Sequence, residues 1–534
     1  MKRLLALLLL AAASWGVEPG GELRLAIRNE PKTYDPMLVS EENGQVVRYL
    51  TGGVLVRVNR QTQMAEPELA ESWKLVGTRR IEFRLRPGLK FSDGSELTEK
   101  DVLATLQRLS DPALQGPTPD SFRTAFGQCR YERMGPGRIA VIAEKAVVNA
   151  EKHFDEIAIQ PAVARAGVGA GPFVLGERRP GVSIRLPRNP HYWKRDESGR
   201  PLPYLAAVQL DIVQNRDLEY LRFGRGELHL INSVEAELYD RLRKQAPGQA
   251  KDGGPSLDFE QMWFNQARRS PLAAHKKSWF QSAEFRRAVS MAIRKQDLAR
   301  VVFRGLAHPA NGPVSPANRR WRWESPGAPA SVDAAKGLLE KAGFTLRAGV
   351  LRDAGGRPVE FTIVTNAGNK TRERMAVLIQ QDLAVLGIKV SIAALDFPSL
   401  IERIMKTLDY EACLLGMVNV ELDPSSQVSA LLSSSSMHPW NPGQKSPETK
   451  WEAEIDGLLQ VVAGNPDFKV RKGAFDRVQQ IVAEQVPIIY LVHKHVLTAV
   501  SPDVKNAAPA IVFPQAFWNA ERLWLEKGQR RASR

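Results

Sequence analysis

The segment from residue 359 to residue 392 constrains the fold more than any other part of the chain. Its apolar side chains alternate at first, recur every three or four residues from about Thr371, and alternate again after Gly387. Alternation is typical of a half-buried strand, and the longer recurrence is typical of an amphipathic helix. A strand, a helix and a strand at this spacing predict a βαβ crossover, so we expect an α/β fold with a parallel or mixed sheet.

Capping residues predict further helices. Thr98 is a good N-cap, and Asp101 places a carboxylate in the first turn that follows it. Ser282 can begin a second helix, whose apolar face we expect to continue to Val301. Ser331 can cap a third, shorter helix.

Two segments alternate clearly enough to be strands, residues 22–28 and residues 81–86. The stretch from about 111 to 138 is rich in Pro, Gly and Asp. Because these residues favour turns, we expect a loop there.

The length of 534 residues corresponds to about three structural units or two large lobes. Hydrophobic residues make up 43% and charged residues 25%, which excludes a disordered or collagen-like chain. No apolar stretch of ~18 residues follows the N-terminus, so an integral membrane protein is excluded. The two cysteines, Cys129 and Cys413, are too few for a disulfide scaffold or a Cys-rich metal site. They could form one disulfide or stay as two buried thiols.

The net charge of +15 raises the possibility of an anionic partner. The basic residues are scattered in pairs such as Arg79-Arg80, without a run of five or six cations and without interleaved aromatics. That distribution indicates a solvated basic surface, so we expect no nucleic-acid partner.

The first sixteen residues have the pattern of a secretory signal peptide. Lys2 and Arg3 are followed by ten residues drawn only from Leu and Ala, and then by the small residues Ser14 and Gly16. We expect residues 1–16 to be removed near Gly16, with export to the periplasm. No cysteine lies at this point to carry a lipid anchor. The alternative is a buried N-terminal helix of the mature fold.

Motifs for nucleotide binding are weak or missing. Residues 167–171 read G-V-G-A-G, but Pro172 and an apparent strand follow where a dinucleotide fingerprint requires a helix. A close-packed crossing of the backbone explains these glycines better. No phosphate-binding P-loop sequence occurs.

Motifs for catalysis and metal binding are equally weak. His493 and His495 share one face of an apparent strand, which could begin a metal site, although an exposed strand face is the simpler interpretation. There is no G-x-S-x-G elbow and no H-E-x-x-H pair. We therefore expect no catalytic residues, no cofactor and no metal, with a secreted hydrolase as the alternative.

Several segments in order resemble the large peptide-type solute-binding proteins of ABC importers, the group that contains oligopeptide-, dipeptide- and nickel-binding proteins (extracellular solute-binding protein family 5). The resemblance runs from about residue 20 to about residue 525. The segments that carry it are 20–26 with 30–36, 66–73 with 83–101, 169–173 with 189–193 and 226–227, 285–289 with 305–314, and 366–369 with 387–388 and 423–424.

The resemblance implies a two-lobed periplasmic-binding-protein fold of the large peptide-binding class (type II), with an extra subdomain in lobe one. The first lobe would be discontinuous. The implied bounds are 17–58, 170–275 and 488–534 for lobe one, 59–169 for its subdomain, and 276–487 for lobe two.

The resemblance also implies a ligand site between the lobes. Peptide-binding relatives carry a G-W-x-x-D segment whose Asp meets the ammonium of the peptide; here the matching residues run from Gly416 to Val420. Met417 replaces the Trp and Val420 replaces the Asp. An ammonium buried against valine would lack a partner, and leaving that buried charge unpaired costs several kcal/mol. Glu421 is the neighbouring carboxylate that could substitute. The implied ligand-binding residues are Ser40, Glu42, Asn265, Met417, Val418, Asn419, Val420, Glu421 and Trp440.

Together these features predict an exported receptor that delivers a peptide or similar small solute to a membrane permease. The expected partners are that ligand and the subunits of an ABC importer, with the receptor itself a monomer that meets the membrane only through the permease. A receptor that feeds signalling instead of uptake is the alternative within the family.

Overall fold

One sheet of eleven strands runs through both lobes of the protein. The description comes from a computed structural model and covers residues 19–324, 331–418 and 422–526. The proposed leader and three expected site residues, Asn419, Val420 and Glu421, lie outside the described residues.

The strands have the following bounds: β1 Glu22–Ile27, β2 Val56–Val58, β3 Ala65–Pro67, β4 Ala70–Val76, β5 Arg80–Leu85, β6 Arg130–Arg133, β7 Arg138–Ile142, β8 Arg178–Arg179, β9 Ser183–Pro187, β10 Ala207–Ile212, β11 Leu230–Ile231, β12 Ala250–Phe264, β13 Ala307–Pro309, β14 Thr345–Arg347, β15 Val350–Arg352, β16 Glu360–Asn366, β17 Lys389–Leu395, β18 Ala412–Met417, β19 Ile489–Val500, β20 Val504–Lys505 and β21 Trp524–Leu525. The α-helices have these: α1 Glu42–Thr51, α2 Glu99–Ser110, α3 Pro117–Phe126, α4 Arg216–Gly224, α5 Ala236–Gln245, α6 Ala274–Gln281, α7 Ala283–Ala292, α8 Lys295–Asp297, α9 Val332–Lys341, α10 Lys370–Ala384, α11 Phe397–Glu402, α12 Val428–Leu431, α13 Lys450–Gly464 and α14 Phe468–Gln485.

The large sheet has the strand order β17-β16-β18-β12-β19-β11-β1-β10-β9-β8, and β13 pairs with β19 beside this path. We call lobe one the half built on β1 and β8–β11 with α1, α4 and α5. Lobe two is the half built on β13 and β16–β18 with helices α6 to α14. The subdomain is the separate four-stranded sheet β4-β5-β7-β6 with α2 and α3.

The architecture is therefore the two-lobed α/β fold that the resemblance implies. Parallel pairing of β16 with β17 confirms the βαβ crossover around α10. The exact residue bounds of the lobes stay a prediction.

Lobe two packs apolar side chains on both faces of its strands. Trp263 and Phe264 are neighbours on β12, so they point to opposite faces. Phe264 stacks on Phe280 with ring centroids 4.8 Å apart in one core, and Trp263 belongs to the core on the other face. Both are buried, so the end of β12 is fixed in lobe two.

The capping predictions are confirmed. Thr98 and Asp101 form a reciprocal capping box on α2, and Ser282 and Ser331 accept backbone hydrogen bonds at the starts of α7 and α9. One detail is wrong: α7 ends at Ala292. Val301 lies in a separate π-helical turn and is largely exposed.

The loop expected over residues 111–138 is also wrong. The structure places α3 and β6 there. Pro117 and Pro119 stand in the first turn of α3, where a missing N–H removes no helical hydrogen bond. The β6 sequence is almost entirely polar because this strand lies at the edge of the subdomain sheet.

The glycines at 167–171 mark a close backbone crossing, as expected. A Cβ on Gly169 would lie 2.5 Å from the carbonyl oxygen of Thr51, and one on Gly171 would lie 2.5 Å from its carbonyl carbon. Both cysteines, Cys129 and Cys413, are unpaired. Within the described ranges, no helix is both long and apolar enough to cross a membrane.

Candidate functional site

The lobes meet at β12 and β19, the two strands that cross from one lobe to the other. They pair antiparallel, with Phe259 opposite His493 and Met262 opposite Ile489. On its other side β12 pairs with β18 of lobe two, and β19 pairs with β11 of lobe one. The ligand cleft that the resemblance implies between the lobes would have these strands as its floor.

Three cations stand at the N-terminal end of α10, where the helix dipole disfavours positive charge. They are Lys370, Arg372 and Arg374. Two of them reach acidic residues of lobe one. Lys370 Nζ lies 3.6 Å from a carboxylate oxygen of Asp217 on α4, and Arg374 donates a 3.0 Å hydrogen bond to Glu237 on α5. All four of these paired side chains are largely exposed, so each pair is worth well under about 1 kcal/mol.

The third cation, Arg372, pairs with Glu260 on the floor strand β12. Its Nε and Nη2 donate to the two carboxylate oxygens of Glu260 over 2.8 and 3.3 Å, and its Nη1 donates to Asn366 over 2.8 Å. Lys494 on β19 places its ammonium 3.9 Å from both Glu260 and Asp258. We call these residues the floor network.

The central ion pair of the floor network, Arg372 with Glu260, is buried, so each charge depends on the other for stabilisation. The Glu260 side chain is 5% exposed and the Arg372 side chain 14% exposed. Burial by itself would raise the pKa of Glu260, but the charges of Arg372 and Lys494 outweigh it and lower that pKa below its usual range. Glu260 is therefore ionised in the folded protein at neutral pH.

Gly416 lies directly against this ion pair. A Cβ at this position would stand 2.3 Å from Nη2 of Arg372 and 2.9 Å from each carboxylate oxygen of Glu260. A side chain there would have to displace the paired ends of Arg372 and Glu260, which favours glycine at this position. The segment expected to bind the ligand, which starts at Gly416, therefore begins in direct contact with the floor network.

A second contact between the lobes joins the subdomain to lobe two. Asn149 donates a 3.0 Å hydrogen bond to Asp423, and the other carboxylate oxygen of Asp423 accepts a 2.6 Å bond from Arg471. Close by, the N–H of Val148 donates to the carbonyl of Ala463. These contacts and the α10 pairs touch across the cleft at separate places, so the structure holds the two lobes together.

The structure places the described site candidates in two different environments. Met417 ends β18 opposite Phe259 of the floor, and Val418 after it is exposed. Ser40 and Glu42 are exposed beside the start of α1 on lobe one.

Asn265 and Trp440 lie inside lobe two. Asn265 is fully buried and donates to the carbonyls of Leu408 and Tyr410. Trp440 is 1% exposed and donates its indole N–H to Glu452 over 3.0 Å. Their polar atoms are satisfied by the protein, and their expected role in ligand binding stays a prediction.

The sequence reasoning missed the floor network, although two signals were present. Asp258 and Glu260 interrupt the otherwise apolar end of β12, and Arg372 stands at the unfavourable end of a helix. A charged residue in a buried strand, and a cation at the N-terminal end of a helix, each indicate that an oppositely charged partner lies nearby.

No group of three or more His, Cys, Asp or Glu side chains that could hold a metal ion is found in the part of the chain that the structure describes. Two lobes on crossing strands, with a polar floor and weak contacts across the cleft, define the class of bilobal solute-binding receptors.

The chain belongs to the bacterial extracellular solute-binding proteins, family 5, whose middle region matches residues 65–439. It is 27% identical over 430 residues to a probable ABC transporter-binding protein of Deinococcus radiodurans, covering 71% of this chain and 70% of that one. It is 26% identical over 486 residues to heme-binding protein A of Haemophilus influenzae, covering 85% and 83%.

Among solved structures, the oligopeptide-binding protein AppA of Bacillus subtilis in complex with a nonapeptide matches with a TM-score of 0.80 and 23% identity, over 96% of this chain and 100% of that chain. This likeness confirms the fold.

We predict that Glu260→Gln destabilises the protein by about 2–3 kcal/mol, because it leaves the buried Arg372 without its counter-charge. Chemical unfolding at pH 7 measures the difference. Since the folded pKa of Glu260 lies below its ordinary value of 4.5, its stabilising effect is complete above that pH. It is lost as the pH falls through the lower folded value, so the two proteins should converge in acid.

Glu360→Gln is the matched control. Glu360 pairs with Lys389 at 3.3 Å on the surface of the same lobe, and both side chains are about half exposed or more. The control should change stability by less than about 1 kcal/mol. Equal effects of the two substitutions would contradict the role given to the floor network.

Proposed function

We propose that this protein is the substrate-binding receptor of an ABC-type importer. It captures a peptide or peptide-like solute by closure of the two lobes and presents it to a membrane permease. The observation that carries the proposal is the pairing of β12 with β19, which joins two lobes whose α10 contacts are exposed pairs that are individually weak. A ligand that touches both lobes favours the closed form by its differential affinity.

The family supports a binding role rather than an enzymatic one. Related proteins are named for the binding of oligopeptides, dipeptides and heme. This range agrees with a common scaffold whose cleft is adapted to different solutes.

We propose further that the ligand does not present a free ammonium at the position of Val420. Peptide-binding relatives carry at this position an aspartate that pairs with the amino end of a peptide, and here the residue is apolar. On the floor, the carboxylate of Glu260 is already paired with Arg372 and Lys494. A buried ammonium would therefore have no unshared counter-charge on the floor.

A mixed tripeptide pool and its N-acetylated counterpart test this ligand class by calorimetry. We expect the natural protein to bind free-amine peptides at least about tenfold more weakly than Val420→Asp does, since that variant restores the counter-charge. Val470→Asp, at an exposed position on α14 outside the expected site, is the matched control and should not improve binding. Tight binding by the natural protein that depends on the free amine would contradict the proposal and point to Glu421.

Closure can be tested without knowing the ligand. In the double variant Lys370→Ala/Arg374→Ala, the two exposed pairs with lobe one are lost, so we expect the open form to gain a few-fold in population. Small-angle scattering of the unliganded protein should give a larger radius of gyration. Arg477→Ala removes a comparable exposed pair within lobe two and should leave the radius unchanged. An identical radius in all three proteins would count against closure through these contacts.

We place the mature protein in the periplasm, after removal of a leader that ends near Gly16. The Leu/Ala run after Lys2 and Arg3 supports this location. N-terminal sequencing of the exported protein should start near residue 17. Finding Met1 retained on a cytoplasmic protein would refute the proposal.

A further inference from the structure

We infer that the protein binds a divalent transition-metal cation of the Ni²⁺, Cu²⁺ and Zn²⁺ group at the hinge between the lobes, through the Nε2 atoms of His308 and His495. Neither imidazole belongs to the floor network. From the sequence we expected no metal, because only His493 and His495 could be recognised as neighbours there.

Three adjacent strands bring the residues of this site together. Asp252 lies on β12, His495 on β19 and His308 on β13. β19 is paired with β12 on one side and with β13 on the other. The sheet therefore aligns side chains that are 187 and 243 residues apart in sequence.

The two imidazoles face each other through the nitrogens that bind metals. Nε2 of His308 and Nε2 of His495 are 3.1 Å apart, and the ring planes are inclined by 26°. A cation about 2.05 Å from both nitrogens would see them at an angle of roughly 98°, between the octahedral and the tetrahedral value. His308 is exposed, so its ring can turn to direct its lone pair at such a cation.

Asp252 fixes the orientation of the inner imidazole. Both of its carboxylate oxygens lie 3.1 Å from Nδ1 of His495. Donation of the Nδ1 proton to this carboxylate leaves the lone pair of His495 on Nε2, directed at His308. A carboxylate behind a histidine in this way is the usual support of a metal-binding imidazole, because it sets the tautomer and makes the ligand more basic.

The donor set determines the class of cation. Imidazole nitrogen suits Zn²⁺, Cu²⁺ and Ni²⁺, whereas Mg²⁺ and Ca²⁺ prefer oxygen ligands. Two protein nitrogens leave the remaining coordination positions to water. In the absence of metal, the same pair can share one Nε2–H···Nε2 hydrogen bond, and a cation replaces the proton between them.

Calorimetry of the untagged, EDTA-treated and desalted protein with NiCl₂, ZnCl₂ and CuCl₂ tests the site, with MgCl₂ as the negative comparison. We expect one cation per chain for the three transition metals and none for Mg²⁺. His308→Ala and His495→Ala should each weaken binding by more than tenfold, and Asp252→Asn by about tenfold. His191→Ala, a change at an exposed histidine elsewhere, should have no effect.

The electron paramagnetic resonance spectrum of the Cu²⁺-loaded protein provides a second readout. It should show coupling of the copper electron spin to two imidazole nitrogens. In either histidine variant, only one coupled nitrogen should remain. Unfolding midpoints of the metal-free variants verify that each remains folded. A lack of binding, or binding that both histidine substitutions leave unchanged, would show that the pair is only a hydrogen-bonded contact and would overturn the inference.

Discussion

The antiparallel pairing of β12 with β19 is the constraint on which the rest of the molecule depends. Within the large sheet, one lobe is joined to the other through this pair, since β18 attaches to β12 and β11 attaches to β19. Trp263 and Phe264 anchor β12 between the two cores of lobe two. Each lobe therefore has its own core on either side of this pair, and a hinge motion at the pair would leave those cores intact.

Where the lobes meet, several charged residues occupy positions that are locally unfavourable for their charge. Lys370, Arg372 and Arg374 would be better tolerated at the other end of α10, and Glu260 would be better tolerated on the surface. Ion pairs with residues of other elements compensate for these unfavourable positions. The compensation is strong for the buried Arg372–Glu260 pair and weak for the exposed pairs of Lys370 and Arg374. The molecule therefore keeps its floor fixed while its outer contacts remain easy to break.

Periodic local signals allowed much of the fold to be predicted. The crossover around α10 and the caps at Thr98, Ser282 and Ser331 depend on residues within a few positions of one another. The edge strand β6 was missed because its solvent-facing side chains carry no apolar alternation. The charges of Glu260 and Arg372 signalled that each needs a partner, but the pairing itself and the histidine pair could not be predicted, because the partners are 112 and 187 residues apart. Only the sheet order brings them together.

The order of strands also determines when the chain can fold during synthesis. β1 is among the first elements made, yet its lobe needs β19, and β21 near the C-terminus lies against Gly21. Lobe one therefore cannot be completed until almost the whole chain has left the ribosome. Contacts of such long sequence separation form slowly. A chain that stays open until its last strands arrive is well suited to crossing a membrane before it folds.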